Sequence, residues 1–135
     1  MNRQDPFELP LMVRGYELDA FNHVNHAVYA QYFEHCRWMA LRELGDNWQG
    51  NDGVGVVVRK LTIEYEASAR LFDELQVRLW VEKVGTSSVT FGQDLLRLRD
   101  DKRLACAEVV AVCIDARGRP RPLPEVWAEQ FNCDN

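Results

Sequence analysis

The sequence predicts an α+β fold in which one long helix lies against an antiparallel sheet of about five strands. Three observations carry that expectation. A single run of helical spacing follows a short N-terminal segment. The hydrophobic period then changes from near 3.6 to two and stays there through four consecutive segments. Only short turns separate those segments, which favours antiparallel pairing.

In chain order, the first strand is expected over Leu11–Leu18, after an N-terminal arm that contains Pro6 and Pro10. The helix is expected from Asn25 or His26 to Leu44. Its stripe is Tyr29, Phe33, Cys36, Ala40 and Leu44, with Gly45 at the residue beyond its end. Val28, Tyr32 and Met39 lie off the stripe, so the helix is apolar on more than one face and should be enclosed. Asn25 suits the N-cap, because its side-chain oxygen can accept a hydrogen bond from the first helical turn. The turn-rich segment DNWQGNDGVG reads as a loop.

Four period-two segments follow. In the first, Leu61, Ile63 and Tyr65 alternate with Lys60, Thr62, Glu64 and Glu66. Leu75, Val77, Leu79 and Val81 form the second, and SVTFGQDLLRLR the third, with a change of phase between Leu95 and Leu96 that suggests a bulge. LACAEVVAVCID is the most apolar and should be central. Asp100–Lys102 and Ala116–Gly118 supply turns, and the tail should close with a short helix after Pro124.

With 135 residues, 47% of them hydrophobic and 27% charged, the chain is expected to form a single domain over 1–135. A net charge of −5 argues against nucleic acid as the main partner, though not against a small anionic ligand. Cys36, Cys106, Cys113 and Cys133 show neither metal-binding nor disulfide-framework spacing. Neither a signal peptide nor a membrane span is evident, so a cytoplasmic protein with reduced thiols is the simplest expectation.

The chemistry concentrates in DAFNHVNHAVYAQYFEHCRW, where Asp19, Asn22, His23, Asn25 and His26 crowd the start of the helix. A helix start carries N–H groups without intrahelical partners, and its macrodipole favours negative charge nearby. Asp19 and Asn25 can equally serve as turn and capping residues. His23 and His26 form H-x-x-H without an evident third ligand, so no metal site is expected. Glu34 and Arg37 are spaced as a helix ion pair, and Glu108 is expected to be a satisfied buried group. Gly53-Val54-Gly55 lacks the rest of a dinucleotide fingerprint, and there is no G-x-S-x-G.

From Tyr16 to Arg37 the residues resemble the signature of hotdog-fold thioesterases of the 4-hydroxybenzoyl-CoA type. VVVRKLTIEYEASARLFDEL, GTSSVTFGQ and the C-terminal RPRPLP resemble the acyl-CoA thioesterase branch associated with the Tol–Pal system. The resemblance runs from about Leu11 to Phe131 and implies a helix wrapped by an antiparallel sheet. It implies hydrolysis of a short-chain or aromatic acyl-CoA without a cofactor, in a homodimer or homotetramer with its site between protomers.

Position by position, Asp19 matches the residue that attacks the thioester or activates water. His26 falls where the branch carries its histidine and where the helix-start N–H faces the thioester oxygen. His23, Asn25, Tyr29 and Lys60 would bind substrate, and Thr86, Ser87 and Ser88 are first of all a strand turn that could touch coenzyme A. Phe21-Asn22-His23 departs from the usual glycine-containing pattern and leaves the acyl preference open. A hotdog acyl-CoA-binding module and a hotdog dehydratase are the alternatives. Should Asp19 prove dispensable, Glu64, Glu66 and Glu108 would be the next carboxylates to consider.

Overall fold

The computed structural model describes residues 1–43 and 55–132. Strand β1 (Phe7–Met12) leads into a 3-10 turn at Gly15–Glu17 and then helix α1 (His26–Glu43). Strands β2 (Gly55–Tyr65), β3 (Glu74–Val84), β4 (Ser88–Arg97) and β5 (Lys102–Ile114) follow, and α2 (Glu125–Asn132) closes the described chain. The expected helix end at Leu44 and Gly45, and the loop reading up to Val54, lie outside the described residues.

The strands form one sheet in the order β1-β3-β4-β5-β2, with every neighbouring pair antiparallel. β5 has a neighbour on each side, but the middle strand is β4. The first strand also differs from expectation: it covers Phe7–Met12, and the stretch up to Leu18 turns away from the sheet. Pro10 fits here because β1 is an edge strand, so its missing N–H costs the ladder nothing on the open side. The phase change between Leu95 and Leu96 is a register shift in the β4–β5 pairing, as the sequence pattern implies.

One face of the sheet carries Leu75, Val77, Leu79, Phe91, Leu95 and Val109, which join Phe33, Cys36 and Ala40 of α1 in a single core. Trp127 and Phe131 of α2 complete it, with Phe131 edge-on to Phe91 at 5.8 Å. On the opposite face Trp80 lies over Gly92, where an added Cβ would come within 2.4 Å of the indole. The helix is enclosed on one side only. Tyr29, Tyr32, Phe33, Cys36, Arg37 and Ala40 are buried, whereas Gln31, Glu34, His35, Trp38 and Arg42 are exposed.

Candidate active site at the start of helix α1

Residues 17–19 and 23–25 run antiparallel like a small hairpin. The Asn25 N–H donates to the Glu17 carbonyl at 2.9 Å, Leu18 bridges Val24, and the Asp19 N–H donates to the His23 carbonyl at 2.7 Å. Between them Asn22 adopts the left-handed conformation at φ 62°, which asparagine tolerates better than most residues. The half-buried Asp19 organises this turn. Its Oδ1 accepts the Phe21 N–H at 2.8 Å and the His23 N–H at 3.1 Å, and no described residue engages Oδ2.

Asn25 then caps α1, its Oδ1 accepting the Ala27 N–H at 2.9 Å. His26 is exposed at the first helical position, and its own N–H has no acceptor among the described residues. Arg70 bridges His23 from the β2–β3 connection, and the Val24 N–H donates to the Ala69 carbonyl at 2.9 Å.

Two tyrosines tie that connection to the helix. The buried Tyr29 hydroxyl accepts the Ala69 N–H at 3.0 Å and donates to the Ala67 carbonyl at 3.4 Å. Burial is the main reason its pKa is raised. With 3% exposure, Tyr29 is a strut within the chain rather than the wall of an open pocket. The Tyr65 hydroxyl, at the end of β2, donates to the His26 carbonyl at 2.9 Å.

Beneath the small hairpin lies a carboxylate to which the sequence pattern assigned no role. Glu17 is 4% exposed and accepts the Arg14 N–H, the Arg14 guanidinium and the Tyr32 hydroxyl, each at 2.8 Å. Burial alone would raise its pKa, but the bonds from Arg14 and Tyr32 outweigh it and hold the carboxyl below its usual range. Burial and the Glu17 bond push Tyr32 upward. The one local signal was the i, i+3 spacing of Arg14 and Glu17, which suggests an ion pair but does not name Tyr32.

Farther along α1, a cavity of about 660 Å³ opens between the helix and β2. Leu41, Val56, Val57, Val58 and Phe91 line it, with Glu34 and Arg37 as its charged groups. The expected Glu34–Arg37 ion pair is not formed. Arg37 turns inward instead, donating to Gln93 Oε1 at 2.9 Å, while Gln93 Nε2 donates to the Phe33 carbonyl at 3.1 Å. Arg37 is 9% exposed, and the cost of burying its charge lowers its pKa.

The other expected site residues are not gathered here. Lys60 is exposed in register with Val110, and Glu108 is exposed opposite Thr62 and Gly92 rather than buried. Ser88 is level with Val112 and Tyr65 with Ala105, so the Thr86–Ser88 turn lies roughly 23 Å along the sheet from the helix start. Among the described residues no three His, Cys, Asp or Glu side chains could jointly hold a metal ion. None of the described helices is long and apolar enough to cross a membrane.

Residues 13–131 match the family described as the thioesterase-like superfamily. The chain belongs to that family. Its fold is the hotdog fold of these thioesterases, and the expectation of an enzyme of this class agrees with the membership. Among thioesterase relatives, the acyl-CoA thioester hydrolase YbgC of Escherichia coli O6:H1 is 34% identical over 93% of this chain and 95% of its own. The chloroplastic acyl-acyl carrier protein thioesterase ATL3 of Arabidopsis thaliana is 29% identical over 92% of this chain, which spans 66% of that longer protein. A thioesterase from Thermus thermophilus, solved with coenzyme A and zinc, superposes with a TM-score of 0.83 at 27% identity, covering 93% of this chain and 91% of that one.

Proposed function

We propose that this thioesterase-family protein hydrolyses acyl-CoA, with Asp19 as nucleophile or general base and the His26 N–H as a donor to the developing oxyanion. One observation carries the reading: a carboxylate pinned through one oxygen shares a short hairpin with a helix start whose first N–H lacks an acceptor among the described residues. Attack on the thioester carbonyl, by water or by the carboxylate itself, places negative charge on the carbonyl oxygen. As a general base, Asp19 takes a proton from the attacking water and returns it to the thiolate as the carbon–sulfur bond breaks. As a nucleophile, it expels the thiolate, which takes a proton from solvent, and forms an anhydride. Water then hydrolyses the anhydride to the free acid and the regenerated carboxylate. Preorganised donors at the developing charge are the largest single aid to such a reaction. The His26 side chain orients the acyl group or water.

A short-chain or aromatic acyl group is the substrate class we propose. The cavity farther along α1, walled by Val56, Val57, Val58 and Phe91, is level with Ser88 and stands apart from Asp19 and the helix start. β2 supports assembly into a homodimer, which could pair again into a tetramer. This eleven-residue edge strand exposes Val56, Val57, Val58, Leu61 and Tyr65, the kind of edge that recruits another strand. A second copy there would stand beside Tyr65 and the helix start, making the site a shared one. The competing reading is a non-catalytic acyl-CoA-binding module, favoured by the fact that Asp19 already serves the turn through Oδ1.

Thiol release from a panel of short aliphatic to aromatic acyl-CoAs separates the two. Asp19→Asn keeps the turn acceptor and removes the anion, so it should stay folded while kcat falls by about a thousandfold or more, a loss of about 4 kcal/mol in transition-state stabilisation. His26→Ala should cost less, because its backbone donor remains. Parental turnover in Asp19→Asn would sink the mechanism, and binding without turnover in the parent would favour the module. Light scattering of the same preparation should give a dimer or tetramer; a strict monomer at micromolar concentration would defeat the shared site.

A further inference from the structure

We propose that Glu17 is a positioning residue for the Asp19 carboxylate, cross-linking the small hairpin that carries Asp19 to the helix that carries the His26 N–H. The inference rests on the thioesterase reading above and adds a residue that does not touch the reacting atoms. Glu17 is bound in two ways at once. Its carbonyl accepts the Asn25 N–H at 2.9 Å, joining it to the N-cap of α1. Its carboxylate accepts the Tyr32 hydroxyl at 2.8 Å, joining it to the buried face of the same helix nearly two turns later.

Arg14 completes the clamp from the entering chain, its N–H donating to Oε1 and its guanidinium to Oε2. Three donors on one buried carboxylate leave it little freedom to move. Asp19, two residues on, is connected through Leu18, whose bridge to Val24 forms the middle of the ladder. Asp19 itself has no bond to α1: its side chain grips only Phe21 and His23 of its own turn. The relative placement of carboxylate and helix-start donor is therefore transmitted through Glu17 and the hairpin.

The network makes a specific kinetic demand. Misplacing a catalytic group by about 1 Å can cost on the order of a hundredfold in rate. In Glu17→Gln an amide nitrogen would face the Arg14 guanidinium or the Tyr32 hydroxyl, and the clamp loosens. With acyl-CoA as substrate and thiol release as readout, kcat should fall about 10- to 100-fold while KM stays within about twofold. Tyr32→Phe removes a single donor and should shift kcat the same way by a smaller factor. It keeps the test open should Glu17→Gln fail to fold.

The deciding comparison is made in the Asp19→Asn background. If Glu17 acts through Asp19, adding Glu17→Gln there should leave the residual rate within about twofold, because residues acting as a unit are non-additive. Full additivity of the two losses would reassign Glu17 to general scaffolding. Unchanged kcat in folded Glu17→Gln and Tyr32→Phe would also overturn the inference while leaving the thioesterase reading intact. Parental turnover in Asp19→Asn alone would overturn both.

Discussion

The two ends of α1 are held by different forces. The far half is held by packing: Phe33, Cys36 and Ala40 are essentially sealed in the core, and burial pushes the Cys36 thiol up to about 12. Arg37, the buried charged anchor of this half, reaches an amide rather than a carboxylate. The near end is held by hydrogen bonds from Asn25, Tyr29, Tyr32 and Tyr65, spread over the hairpin, the β2–β3 connection and β2. Close packing gives the helix its place in the fold. A net of directional bonds, each contributing about 1 kcal/mol, sets the orientation of its first turn. Polar atoms must face the reacting group there, so packing cannot do that task.

The contrast can be broken first at the packed end. Phe33→Ala removes a fully buried ring, and equilibrium denaturation should show a loss of about 3–5 kcal/mol with little change in KM per folded molecule. A loss below about 1 kcal/mol would mean that packing does not anchor this half.

At the bonded end, Asn25→Ala should cost only about 1 kcal/mol of stability. The same change should lower kcat out of proportion to that cost, because it frays the turn bearing the His26 N–H. A normal kcat in this variant would show that the first turn needs no cap for chemistry.

Acid sharpens the comparison with the smallest effect. The Glu17 carboxyl is held below its ordinary value of 4.5, so its contribution is complete above about pH 4.5 and is lost as pH falls through the lower folded value. Below pH 4.5 the parent should therefore lose stability more steeply than Glu17→Gln, measured by denaturation at fixed pH values. Parallel curves would show that the carboxylate contributes nothing through its charge.

Much of this was legible along the chain. The stripe Tyr29, Phe33, Cys36, Ala40 marked the helix, and the register shift at Leu95/Leu96 was visible as a break in a period of two. The capping role of Asn25 could be read because caps act within three residues of themselves. The short β1 was misplaced because alternation alone could not choose between Phe7–Met12 and the stretch beyond it. Pro10 was assigned to the arm ahead of the strand, and only the edge position of β1 shows how the sheet holds it.

What the sequence determined by itself was the set of elements, because helical and strand periods are local properties of neighbouring side chains. It also determined the crowd of polar groups at one helix start, which the family resemblance turned into an expectation about chemistry. Tertiary structure decided the strand order, the inward turn of Arg37 to a glutamine 56 residues away, and the tie of Tyr29 to a backbone N–H 40 residues away. It also decided that Glu17 meets Tyr32, fifteen residues on, and that Thr86–Ser88 lie at the far end of the sheet. Each depends on which donor meets which acceptor after the chain has closed on itself. Local pattern shows that a buried polar group needs a partner, and only the folded chain chooses it.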